Sequence, residues 1–307
     1  MICQIFALLF VSERKQIDFM ADEKLPVQIS HYLFATSRSE MRIKMLQFGM
    51  PTLIEVDKLA DTMKICKDLG LSFVELNMNL PQYQTKCLSN ISYLKELKDK
   101  FQIGYTIHLD ENLNVCDFNS EVAKAYTDTV VNTIEIAKSL EIPILNMHMN
   151  HGVHFTLPTQ KVQLFEKYFE EYMEAWKKFC NSCDQLIGDS NVKICIENTN
   201  GYRDYEKGAI EYALSKNAFG LTWDIGHSNA VSNIDEEFIM NFREKIYHFH
   251  IHDSMGKSDH MILGTGDIDL AQRLGIAKDC NCRCVVETKT VDALNKSVLW
   301  LKNNGYM

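Results

Sequence analysis

From residue 45 onward, short runs of β-branched, aromatic and aliphatic residues alternate with longer stretches whose apolar positions recur every three or four residues. The short runs predict strands: MLQFG (45–49), LSFVELN (71–77), QIGYTIHL (102–109), IPILNMHM (142–149), VKICIEN (192–198), FGLTWDI (219–225), IYHFHIHD (246–253) and CRCVVET (282–288). The longer stretches predict helices. In VDKLADTMKICKDLG, Val56, Leu59, Met63 and Cys66 share one helical face, and Gly70 follows as a stop signal. Residues 120–140, 159–187, 204–216, 235–244 and 291–302 read the same way, and the pattern after the second and seventh strands is weaker. Eight strand–helix units give an α/β protein with a parallel sheet, which closes most simply into a (β/α)8 barrel. Residues 45–307 have the length of that fold, about 250 residues. An open doubly wound sheet would carry a glycine-rich turn after its first strand, and FGMPTLIE has none.

Side chains alternate faces along a strand, so the inward-facing set can be read off. His248, His250 and His252 share one face, opposite Tyr247, Phe249 and Ile251. Glu197 stands opposite the isoleucines of its strand, Asp224 opposite Trp223, and Glu287 opposite Cys284 and Val286. Likewise His148 opposes Met147 and Met149, His108 opposes Ile107 and Leu109, and Glu75 opposes Val74 and Leu76. Seven strands thus direct an ionisable group into the barrel near their C-terminal ends, where this fold builds active sites. Converging carboxylates repel one another unless a cation lies among them. Glutamate, aspartate and histidine together suit a divalent first-row metal or magnesium: Mn, Mg, Co or Zn. Taken singly, an inward histidine is a hydrogen-bonded core residue and a strand-end acid caps the next helix. Those explanations weaken when nine of ten histidines follow residue 107 and most fall at strand ends.

The whole chain has 307 residues, 46% of them hydrophobic, with 14 glycines and 5 prolines, which excludes general disorder. Its 32 basic against 41 acidic residues give a formal charge of −9, which argues against a protein that grips a nucleic-acid backbone. The ten cysteines show no framework spacing. Cys180 and Cys183 share a helical face, Cys284 reads as a small buried hydrophobe, and the usage implies a reducing, cytosolic protein. Residues 1–44 read as an irregular extension outside the barrel, with Met20, Met41 and Met45 as alternative starts. The apolar run Ile2–Val11 is too short to span a bilayer and lacks the flanks of a signal peptide. No other stretch reads as a membrane helix.

With these residues in view, the chain resembles the xylose-isomerase-like TIM barrel superfamily over about residues 45–303. The resemblance rests on I-E-N-T (196–199), D-I-G-H (224–227), H-I-H-D-S (250–254), H-x-x-L-G-T-G-D-I-D (260–269) and V-E-T (286–288). That group contains sugar and sugar-phosphate isomerases and epimerases, and the endonuclease IV type of abasic-site nuclease. The resemblance implies a metal held by Glu197, Asp224, His250 and Glu287, with His227 serving a second metal or substrate oxygens. His108, His148 and His260 match positions that bind extra zinc in the endonuclease branch. Two departures stand out. Ser258 occupies the place of an aspartate two residues before His260, with Asp259 one place off, and L-G-E-G reads Leu263-Gly264-Thr265-Gly266.

The first expectation is a metal-dependent isomerase or epimerase of a sugar or sugar phosphate. Glu197 and Glu287 would remove and return a proton through an enediolate. His227 and His250 would orient the substrate, Glu75 and His148 would bind further hydroxyls, and His252 is a further candidate ligand. The same site would also suit dehydration of a polyhydroxylated substrate. The alternative is zinc-dependent phosphodiester cleavage at abasic DNA, opposed by the charge, the Ser258 departure and the lack of a basic, aromatic-interleaved loop. A sugar-binding barrel without catalysis has no need for two converging carboxylates. Analogy with relatives suggests a homo-oligomer.

Overall fold

Eight parallel strands close into a barrel in a computed structural model that describes residues 46–307. The readings of residues 1–44, including Ile2–Val11 and the starts at Met20, Met41 and Met45, fall outside the described residues. The strands are β1 (Gln47–Pro51), β2 (Phe73–Asn77), β3 (Gly104–His108), β4 (Ile144–His148), β5 (Lys193–Glu197), β6 (Phe219–Asp224), β7 (Ile246–Ile251) and β8 (Arg283–Val286). They hydrogen bond in sequence order, and β8 closes against β1. Their helices follow in turn: α1 (Leu59–Leu69), α2 (Ile91–Phe101), α3 (Ser120–Leu140), α4 (Phe169–Ile187), α5 (Asp204–Leu214), α6 (Glu236–Asn241), α7 (Leu270–Cys280) and α8 (Val291–Asn303).

The local chemistry accounts for these elements. In α1, Leu59, Met63 and Cys66 are buried, and Gly70 ends the helix at φ 80°, a left-handed conformation that glycine adopts without a Cβ clash. The helices α2 and α7 are short of pattern for a physical reason. The first buries only Leu94 and Leu97 as apolar contacts, and both depend on side-chain caps, Asn90 accepting from the Tyr93 N–H and Asp269 from that of Gln272. In α4, Cys180 and Cys183 are buried on one face beside Trp176 and Phe179, and every described cysteine is unpaired. Burial pushes both thiols up, that of Cys183 to about 12. The C-x-x-C is packing.

The expected helix over 159–187 starts late. Residues Lys161–Gln163 pair antiparallel with His154–Thr156 in an exposed ribbon, and a single turn, Leu164–Lys167, precedes α4. Pro158 and the Leu157 N–H bond to Gln160 O close the ribbon's turn. Val162 and Phe165 mimicked a helical spacing across that turn. The first strand also runs from Gln47 to Pro51, later than the expected 45–49. Two small elements carry no periodicity: a helix at Ile225–Ala230 and a ribbon of Asp253–Met255 with Ser258–Met261, turned by Gly256 at φ 59°.

Outward-facing strand residues Val74, Ile107, Met147, Ile196, Trp223 and Phe249 are buried beneath the helices. Trp223 and Phe249 pack with ring centroids 5.6 Å apart. The inward faces are polar at the C-terminal end, and register sets their level: His148 pairs with Glu197, and Asp224 with His250. Phe249→Ala should therefore cost about 3–5 kcal/mol by leaving a void between barrel and helices. Urea unfolding followed by circular dichroism measures this, and a loss below about 1 kcal/mol would show that the layer collapses around the gap.

Candidate metal centre

The inward ends of β5, β6, β7 and the residue after β8 bring Glu197, Asp224, His250 and Glu287 together, with one ligand atom from each lying within 4.8 Å of the others. His250 Nδ1 is the hub. It lies 3.1 Å from Glu197 Oε1, 2.9 Å from Glu287 Oε2 and 3.9 Å from Asp224 Oδ2. Glu197, Asp224 and His250 are fully enclosed, and Glu287 retains 13% side-chain exposure toward the cavity above.

The electrostatics follow from this crowding. Burial alone would raise the Glu197 carboxyl, yet His250 and His148 hold it well below the usual carboxylate range. Asp224 is likewise lowered by His227 and His252, and Glu287 by His250 and His260. Burial would lower His250, but Glu197, Glu75 and Glu287 raise it well above an ordinary imidazole. His108 is raised to about 9, burial again being outweighed by Glu197.

The donor set fits a divalent ion. Glu287 Oε2 and His148 Nε2 are buried without a hydrogen bond, although each lies close to an oppositely polar atom, His148 Nε2 being 3.0 Å from Glu197 Oε2. Each belongs to a candidate ligand group, and the two groups share Glu197, as expected of donors available to a cation.

The remaining candidates take different places. His108 and His148 form a second group with Glu197, and the His108 Nδ1–H donates to Leu109 O at 2.7 Å, turning Nε2 toward Glu197. His227, His252 and His260 form a third group, the rings of His252 and His260 stacked at 4.3 Å. His252 is engaged at both nitrogens: Nδ1 accepts from the His260 N–H at 2.7 Å, and Nε2 lies 3.0 Å from Asp224. Asp259 stands 2.9 Å from His260 Nδ1, and His260 Nε2 is 3.4 Å from Glu287. Glu75 lies a layer deeper and does not line the mouth. Its Oε1 faces His250 Nε2 at 2.9 Å, and Oε2 accepts from Thr106 and His248 at 2.9 Å each. Burial would raise the Glu75 carboxyl, and the His250 and His248 imidazoles hold it low. Burial keeps His248 below an ordinary imidazole.

Several positioning residues were not among the expected site residues. Asn146 Nδ2 donates to Glu197. Asn198 joins β5 to β6: its Oδ1 accepts from the Asp224 N–H at 2.8 Å, and its Nδ2 donates to Asp224 O at 2.9 Å and to buried Asp235 at 3.0 Å. Asp253 accepts from the N–H groups of Ser254 and Gly264, fixing the loop after His260. The motif asparagine in I-E-N-T and the aspartate in H-I-H-D-S were the available clues. In D-I-G-H, a Cβ on Gly226 would fall 1.9 Å from His252 Cε1, so that ring requires glycine there. Thr265, the second departure, bonds its own loop through Ile262 O and does not line the cavity.

Above the cluster opens a cavity of about 550 Å³, lined by residues from the loops after β3, β4, β5, β6, β7 and β8. A larger one of about 900 Å³ lies at the opposite strand ends, around Gln47, Lys98 and Arg283, and contains none of these ligand groups.

A family model described as xylose isomerase-like TIM barrel matches residues 63–304. The chain belongs to that family. Within the xylose isomerase-like TIM barrels, an uncharacterized protein of Methanocaldococcus jannaschii is 26% identical over 271 residues, 84% of this chain and 88% of its own length. A D-tagatose 3-epimerase-like protein matches in structure with TM-score 0.69 and 24% identity, covering 84% of this chain and 96% of that one. A D-psicose 3-epimerase from Clostridium cellulolyticum H10, crystallised with D-tagatose, matches with TM-score 0.65 and 14% identity over 85% and 99%.

Two measurements test the centre in this xylose isomerase-like barrel. Glu75→Gln should weaken Mn²⁺ or Co²⁺ binding on the order of 10–100-fold by loosening His250, with helicity unchanged. Isothermal titration reads this, and an unaltered affinity would remove Glu75 from the support of His250. Because His250 holds its proton above the ordinary imidazole range, an entering cation must displace it. Binding at neutral pH should release protons and strengthen as pH rises, and titration heats independent of buffer ionisation enthalpy would contradict this.

Proposed function

We propose that the protein is a divalent-metal-dependent sugar isomerase or epimerase, with Glu197, Asp224, His250 and Glu287 holding the ion and the two glutamates moving the proton. The observation that carries this reading is the approach of Glu197 and Glu287 to one buried nitrogen, His250 Nδ1, at 3.1 and 2.9 Å from strands on either side of β7. The named activity of the structural neighbours, sugar 3-epimerisation, supports it. A divalent ion bound there would polarise a carbonyl beside the reacting carbon and lower the cost of an enediolate.

The residues supply the rest. Both glutamates are kept ionised by their imidazole neighbours, which suits removal of a proton from carbon. Glu197 is fixed by Asn146, and Glu287 faces the cavity beside Lys289 Nζ at 3.3 Å. A sugar carbon between them would meet one carboxylate on each face. His227 and His260 stand at the cavity edge to orient hydroxyls.

A second reading, phosphodiester cleavage, is favoured by one observation: His108 and His148 make a further ligand group that shares Glu197 with the first. The two readings separate in one experiment. Protein loaded with Mn²⁺ or Co²⁺ is assayed for ketose interconversion with deuterium uptake from D₂O, beside nicking of an abasic oligonucleotide, with metals counted. Sugar chemistry predicts deuterium at the epimerised carbon. Nicking with several tightly held zinc ions and no ketose turnover would overturn it. Glu287→Gln should lower turnover on the order of 10²–10⁴-fold while leaving the circular dichroism spectrum unchanged; full activity would take Glu287 out of the mechanism.

A further inference from the structure

One ionisable side chain lining the cavity belongs to none of the ligand groups and yet is held as firmly as they are. His151, in the loop after β4, contacts Glu206 Oε1 through Nδ1. Glu206, in the first turn of α5, has no exposed surface, and its Oε2 accepts from the Arg203 N–H at 2.8 Å. A carboxylate only accepts hydrogen bonds, so Nδ1 carries the proton and Nε2 is the ring nitrogen left without a protein partner among the described residues. The backbone is pinned as well. The Tyr205 hydroxyl donates to His151 O at 2.9 Å, and the Gly152 N–H donates to Asn150 Oδ1 at 2.9 Å. Gly152 sits at φ +68°, where a Cβ would fall 2.7 Å from the Phe165 ring. An imidazole fixed at ring and backbone, with one nitrogen left for the cavity, is preorganised for a ligand.

The charge of the cavity limits what that ligand is. Its lining carries Glu111, Glu197 and Glu287, and its one ammonium among the described residues, Lys289, already lies 3.3 Å from Glu287. The other lining imidazoles are committed to the centre as well, His108 and His148 facing Glu197, His227 facing Asp224 and His260 facing Glu287. That leaves no unpaired cation in the described lining for a phosphate dianion. The lining on this side includes Asn150, Thr199 and Asn200, and the Arg203 guanidinium, which is outside the lining, is paired with Glu206 Oε1 at 3.3 Å.

We propose that the His151–Glu206 pair binds a hydroxyl on the part of the substrate remote from the metal centre, and that the substrate is an unphosphorylated polyhydroxy ketone. This rests on the sugar isomerase reading. His151 Nε2 hydrogen bonds the hydroxyl, and Glu206 acts through the imidazole as a positioning residue.

The test compares metal-loaded wild type, His151→Ala, His151→Gln and Glu206→Gln on D-tagatose and its 6-phosphate ester. The wild type should prefer the free ketose by tenfold or more in kcat/KM. His151→Ala should raise KM on the order of tenfold, the effect of losing one carboxylate-backed hydrogen bond, with kcat changed far less. His151→Gln, which keeps a hydrogen-bonding group, should recover part of the loss, and Glu206→Gln should fall between. Mn²⁺ affinity should not move in any variant, a readout that a merely structural role would disturb. An unchanged KM in His151→Ala, or a preference for the phosphate ester, overturns this inference alone. Failure of the function reading looks different: the wild type would neither turn over nor bind any ketose in saturation-transfer NMR, and both proposals would fall.

Discussion

Three carboxylates, those of Glu197, Asp224 and Glu287, gather in a volume that water barely reaches, and much of the upper barrel exists to make that tolerable. Bare negative charges at such separations would repel strongly in a medium of low polarisability. The protein answers with imidazoles. His250 sits between Glu197 and Glu287, His252 and His227 against Asp224, and His108 and His148 against Glu197. Five imidazoles face three carboxylates, so the knot is neutral when three of the five carry protons. It is equally near neutral when a doubly charged ion replaces some of those protons. The two states compete for the same atoms, which couples metal occupancy to acidity.

Neutrality alone would not fix geometry. Beneath the knot, Glu75 faces the far side of His250 and is itself held by Thr106 and His248, in a layer closed to solvent. Beside it, Asn198 locks the end of β5 to the start of the turn after β6, and Asp235 and Ser228 complete that network. Above it, Asp253 ties down the loop that follows His260. Each device restrains a side chain or backbone next to a ligand group, so the cluster cannot relieve its repulsion by spreading apart. Such preorganisation is what catalysis by fixed charge requires.

The barrel and its polar mouth were legible in the sequence because both obey short-range rules. Period two along β7 put His248, His250 and His252 on one face whatever the tertiary context, and the strand–helix alternation left little choice of closure. What escaped notice obeys no local rule. The Asn198–Asp224 bonds join residues 26 apart, and the His151–Glu206 contact joins residues 55 apart, so neither leaves a trace in spacing. Glu75 shows the other limit. Alternation assigns it to the barrel interior correctly, but says nothing of height, and the stagger of strands in a closed barrel sets it below the mouth. The ribbon at 154–163 escaped because Val162 and Phe165 fall at helical spacing by chance, while Pro158 and a single turn bond decide the local structure.

Height within the barrel also bears on the choice between proposed chemistries. Glu197 is sealed at 1% side-chain exposure, whereas Glu287 and His148 keep 13% and 17%, so access to the cluster comes from above and is narrow. A small polyol can bring two neighbouring oxygens down into such an opening while its tail remains among the asparagines of the rim. A duplex would have to extrude a nucleotide and hold its flanking phosphates across a rim whose lining offers a single ammonium among the described residues, on a chain of charge −9. The ligands alone are compatible with either reaction. The surroundings favour the smaller, uncharged guest, because the imidazoles and the ammonium of the described lining are already paired with carboxylates, which leaves little with which to hold a polyanion.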